Sequence, residues 1–107
     1  MISENRVERA LEYLRDSAKE YGQVCAMAEL RHHNIKTYKA LAFLESTGTV
    51  GERGARADSD PRVIEAMEEH ANAVGERATI MTKRKAAELT IEVWRSQNSA
   101  RSKGLMT

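Results

Sequence analysis

A chain of 107 residues with a formal net charge of +1, 31% charged and 5% aromatic residues, is one domain's length of sequence. It reads neither as a generally basic nucleic-acid coat nor as a strongly acidic DNA mimic, although local patches matter more than the sum. The single cysteine excludes an intramolecular disulfide and suits a reducing compartment. No apolar run approaches the ~20 residues that span a bilayer, and the N-terminus MISENRVERA lacks the basic-then-apolar order of a secretory signal. The expectation is a cytoplasmic, soluble protein with no membrane contact.

The first predicted element is a helix over residues 3–47. It holds no proline, and its one interior glycine, Gly22, sits among good helix formers. Ser3 can start it, with Glu4 placed to suit the helix dipole. A row from Val7 through Leu11, Leu14, Ala18, Tyr21, Cys25 and Ala28 to His32, Ile35, Lys39 and Ala42 alternates steps of four and three, which keeps one helix face in register. A second row, Met27, Leu30, Leu41 and Leu44 with Tyr38 beside it, adds apolar surface where the first weakens. The outward residues Glu4, Glu8, Glu12, Asp16 and Glu20 form an acidic ridge, better tolerated beside a basic neighbour.

Residues 48–60 break the pattern with Gly48, Gly51 and Gly54 among turn formers. They form a glycine-rich tip, with room for a short helical turn over Val50–Arg56. Loops on a rigid scaffold are common contact sites, so Glu52, Arg53 and Arg56 are candidates for a tip contact. Asp60–Pro61 then marks a helix start, Asp60 as N-cap and Pro61 at the first helical position. The second long helix is predicted over residues 61–102. Its apolar row is read as Ile64, Met67, Ala71, Val74, Ala78 and Met81, shifting phase near Lys83-Arg84-Lys85 to Ala87, Ile91 and Trp94. The fold class is all-α: one domain, residues 1–107, forming a long antiparallel helical hairpin. The apolar width of the first helix exceeds one partner helix, so dimerisation into a four-helix bundle is expected.

Chemistry-bearing patterns are sparse. His32, His33 and His70 invite a metal reading, but adjacent helical residues point ~100° apart. Counting levels from the tip places His70 opposite Tyr38, away from the pair, and no Cys/His or HExxH spacing occurs. Cys25 falls on the apolar row and reads as a buried free thiol. GERG at 51–54 is no phosphate loop. Neither a catalytic residue nor a cofactor is expected. Charge is more informative: Lys83, Arg84, Lys85, Arg95, Arg101 and Lys103 make the end of the second helix basic. They either pair with the acidic ridge or contact phosphates or a partner.

Three segments carry a resemblance. KALAFLES from Lys39, ERGARADSDPRV and the closing IEVWRSQNSAR at 91–101 together resemble a group of small, mostly helical phage-encoded proteins of uncharacterised function. That group has a KALLM-like segment near the tip, an alanine-rich Glu/Arg stretch and a closing IEVWR motif. Where that group has an acidic-Ala-Tyr pattern, this chain has Ala57-Asp58-Ser59-Asp60-Pro61. The resemblance implies a viral origin, a place in the host-cell cytoplasm and an accessory role in phage recombination, replication or host takeover. The leading expectation is therefore a homodimeric, non-enzymatic binding protein with a protein partner. The alternatives are sequence-nonspecific nucleic-acid binding through the C-terminal basic segment and a structural component of a larger assembly.

Overall fold

The computed structural model describes residues 1–105. Its elements are α1 Glu4–Glu45, α2 Val50–Asp58 and α3 Pro61–Leu105; no strand occurs among the described residues. The helix starts follow their caps. Ser3 Oγ accepts the Arg6 amide at 3.3 Å, Thr49 Oγ1 accepts the Glu52 amide at 3.2 Å, and Asp60 Oδ1 accepts the Arg62 amide at 2.8 Å. The Thr49 and Asp60 caps take up amides of the first turn, where the helix itself offers few acceptors, and the Arg6 amide is shared between the Ser3 hydroxyl and carbonyl. Between α1 and α2 the chain turns at Gly48, whose φ of 114° lies where only glycine is unstrained.

The chain divides into two compact units. The first joins Met1–Tyr21 to the part of α3 from Ala78 on. There α1 and α3 run antiparallel: the Ile2 amide donates to Gln97 Oε1 at 2.9 Å, and Arg84 reaches the Leu14 carbonyl. Val7, Ala10, Ala87 and Ile91 form a buried cluster, with Ile2, Tyr13, Leu14 and Trp94 packed against it.

The second unit is Gly22–Arg77. Its antiparallel seam buries Ala28 and Ala42 of α1 against Val63, Ala66 and Ala73 of α3, with Ala57 of α2 also buried. Val63, with none of its surface exposed, is the one large side chain among these. Small residues at the contact let the helix backbones approach closely. α2 folds back on α1, where Lys39 pairs with Asp58 at 3.1 Å.

Two expectations are corrected here. On α1 the buried partners of Val7, Leu14 and Ala28 are Ala10 and Ser17, whereas Leu11 and Ala18 are exposed; His32 and Lys39, the polar positions where the row weakens, are exposed as well. On α3 the seam runs Val63, Ala66, His70, Ala73 and Arg77, then Ile80, Arg84, Ala87, Ile91 and Trp94, every one buried or half-buried. The phase shift expected near Lys83 does not occur. Ile64, Met67 and Met81 lie one residue, ~100°, to the side and are 46%, 52% and 49% exposed.

Candidate functional site

The basic end of α3 does not form one patch. Lys83, Arg84 and Lys85 sweep ~200° around a helix, and the middle one turns inward. Arg84 Nη1 donates to the Leu14 carbonyl at 2.8 Å and to Ser17 Oγ at 2.7 Å, and its guanidinium lies 5.2 Å from the centre of the Tyr21 ring. Ser17 is itself buried, so Arg84 is the donor that satisfies a polar group within the seam. Lys83, Arg95, Arg101 and Lys103 are exposed, and Lys85 approaches Glu88 at 3.9 Å. Among the described residues no ion pair joins the acidic ridge to this segment. The ridge residues recur every fourth position around the outer, exposed surface of α1, and Asp16 pairs with its neighbour Arg15, whose pKa that hydrogen bond raises.

At the tip, Arg53 donates to the Phe43 carbonyl from Nε at 3.1 Å and from Nη2 at 3.0 Å, and stacks on the Phe43 ring at 4.2 Å. Arg56 donates to the Thr47 carbonyl. The last turn of α1 has no basic residue of its own, so these two arginines supply the positive charge its end carbonyls favour. Glu52 stays exposed in the first turn of α2. Close by, Arg62 binds Asp60 at 3.1 Å and Glu45 at 2.7 Å. The hydrogen bond from Arg62 holds the Asp60 carboxyl below its ordinary pKa, and Asp60 followed by Glu45 raises that of Arg62.

The histidines also differ from expectation. His32 and His70 face each other with ring centres 5.1 Å apart, tilted by 48°. The level count failed because α2 packs beside the end of α1, so α3 starts opposite a point before that end. Arg31, next to His32, accordingly pairs with Glu69 at 2.8 Å. Among the described residues, no set of three or more His, Cys, Asp or Glu side chains gathers as a metal site. Cys25 is a free thiol, half-buried rather than enclosed.

What the second unit offers a partner is apolar. On α1, Met27, Leu30, Leu41 and Leu44 are 42%, 51%, 41% and 72% exposed. They precede the seam positions Ala28 and Ala42 by ~100° around the helix. Ile64 and Met67 of α3 follow their seam positions by the same angle. Because the helices run antiparallel, the two rows emerge on opposite faces of the pair. Beside the α1 row, Met27 and Arg31 line a shallow groove with Glu69, Asn72, Ala73 and Glu76. No helix among the described residues is long and apolar enough to cross a membrane. No family model matches the chain, nor does any curated protein or solved structure.

Proposed function

We propose that this chain is a non-enzymatic helical binding protein that works as a homodimer and makes further protein–protein contacts. One observation carries the reading: the chain exposes more surface than a compact monomer of its mass. Its accessible area is 7761 Å², whereas a folded monomer of its 12.0 kDa exposes about 6,000 Å². The excess, about 1,800 Å², is of the size that one protomer contributes to a permanent dimer interface. On one face of the second unit, Met27, Leu30, Leu41 and Leu44 of α1 expose apolar surface in a row, the kind of patch that marks interaction sites. A second copy brings four long helices together. The apolar row on the opposite face then remains for a protein partner. A place among phage DNA-metabolism or host-takeover functions rests on the IEVWR resemblance.

The nucleic-acid alternative has less to work with, because Arg84 is engaged in the seam and Lys83 and Lys85 diverge. Fluorescence anisotropy with single- and double-stranded DNA over a salt series separates the two. The proposal predicts no submicromolar complex at low salt. A tight complex that weakens steeply with salt, the mark of counterion release, would overturn it.

A further inference from the structure

The exposed row on α1 has a feature that tells which way a second copy would lie on it. Met27, Leu30, Asn34, Thr37, Leu41 and Leu44 follow steps of three, four, three, four and three, the spacing of a coiled-coil seam. The sequence of the row is symmetric in character: two apolar residues, two polar ones, two apolar ones. A two-fold axis maps a surface patch onto itself. Set against an antiparallel copy of itself with the axis between Asn34 and Thr37, every apolar position meets an apolar position and the polar pair meets the polar pair. A parallel copy in register would set Asn34 against Asn34 and Thr37 against Thr37, and any shift by one heptad would place Asn34 or Thr37 against leucine.

We infer that α1 pairs with α1 of a second copy, antiparallel, with Met27 meeting the partner subunit's Leu44, Leu30 the partner's Leu41 and Asn34 the partner's Thr37. The inference rests on the homodimer proposed above and specifies its interface. Asn34 is half-buried already, and among the described residues the Thr37 hydroxyl donates to the His33 carbonyl of its own helix at 3.3 Å. Its oxygen therefore has a lone pair to accept from the Asn34 amide of the other copy. A polar pair within an apolar seam fixes register, because a shift by one heptad sets its groups against leucine and leaves them unpaired. The flanks are compatible. Ala26 and Ala40, on either side of His33 along the outer edge of the row, allow close approach, and the charged residues on its inner edge, Arg31 and Glu45, already pair with Glu69 and Arg62. The assembly is then four helices, with α3 of each copy lying ~100° around its own α1 from the contact. The α3 row with Ile64 and Met67 faces away from this contact.

The test is disulfide trapping in a Cys25→Ser background. Leu30→Cys with Leu41→Cys places two thiols eleven residues apart on one helix, about 16 Å, too far to close within a chain. Mild oxidation should convert this double variant to a covalent dimer on non-reducing gels. Each single variant, Leu30→Cys or Leu41→Cys, should stay uncrosslinked, since its thiol lies equally far from its own copy across the axis. Efficient crosslinking of either single variant would show parallel pairing and overturn the inference. So would failure of the double variant to crosslink. Sedimentation of the same samples before oxidation tells which claim has failed. A dimer mass without the expected crosslink refutes the α1 pairing alone, and a protomer mass for the unsubstituted protein refutes the homodimer with it.

Discussion

Arg84 is the residue whose reading changed most between sequence and structure, and its removal discriminates between them. Replacing it with alanine takes away the donor that reaches Ser17 Oγ and the Leu14 carbonyl from α3. A hydrogen bond from a charged donor contributes about 1.5–3 kcal/mol, and a cation–π contact such as that with Tyr21 about 0.5–1 kcal/mol. Arg84→Ala should therefore cost about 2–4 kcal/mol, or roughly 10–15 °C in melting temperature for a chain of this size. Urea denaturation followed by circular dichroism, at fixed protomer concentration because association shifts apparent stability, measures it. Lys83→Ala, one residue away on an exposed position, should stay within about 0.5 kcal/mol of the parent. A cycle with Ser17→Ala should return a coupling of about 1 kcal/mol between the two side chains. If Arg84→Ala proves as mild as Lys83→Ala, Arg84 is not a seam residue and the basic segment regains its standing as a contact surface.

Other outcomes follow from single positions. Val63→Ala removes two methyl groups from a side chain with no exposed surface and should cost about 2 kcal/mol in the same assay. Asp60→Asn keeps the N-cap but loses the charge that Arg62 holds at 3.1 Å. The parent should be the more stable at neutral pH. Because the folded Asp60 carboxyl is held below its ordinary value, the advantage is fully present above the unfolded carboxyl's pKa and disappears as pH falls through the folded one, so melting curves taken from pH 7 down to pH 2 should converge. Glycines at two sites should respond with opposite sign. Gly48→Ala meets a φ of 114° and should destabilise by about 1–2 kcal/mol, while Gly22→Ala, with nothing within 4 Å of the new methyl, should stabilise by about 0.5–1 kcal/mol.

The helix boundaries were legible because their signals are local. Asp60-Pro61 starts α3, and the glycines after Thr47 end α1, with α2 standing where a short helical turn was expected. The seam was not legible. Its α3 side reads Ala66, His70, Ala73, Arg77 and Arg84, less apolar than the neighbouring row Ile64, Met67, Val74 and Met81. Periodicity therefore selected the more apolar row, which is largely the exposed one. Close helix packing rewards small side chains, and an arginine can enter a seam when its guanidinium finds acceptors there, which spacing does not reveal. The meeting of His32 with His70 was hidden for a different reason: it depends on where α2 packs, a tertiary outcome. The tip arginines were visible as candidates, but their use in satisfying the end of α1 required coordinates.

The central claim, that this chain works as a pair, is tested most directly by sedimentation equilibrium of the unaltered protein across micromolar concentrations. The account predicts a mass of twice the 12.0 kDa protomer, dissociating only on dilution. A single 12.0 kDa species throughout that range would contradict it, leaving the apolar rows on α1 and α3 uncovered by a second copy.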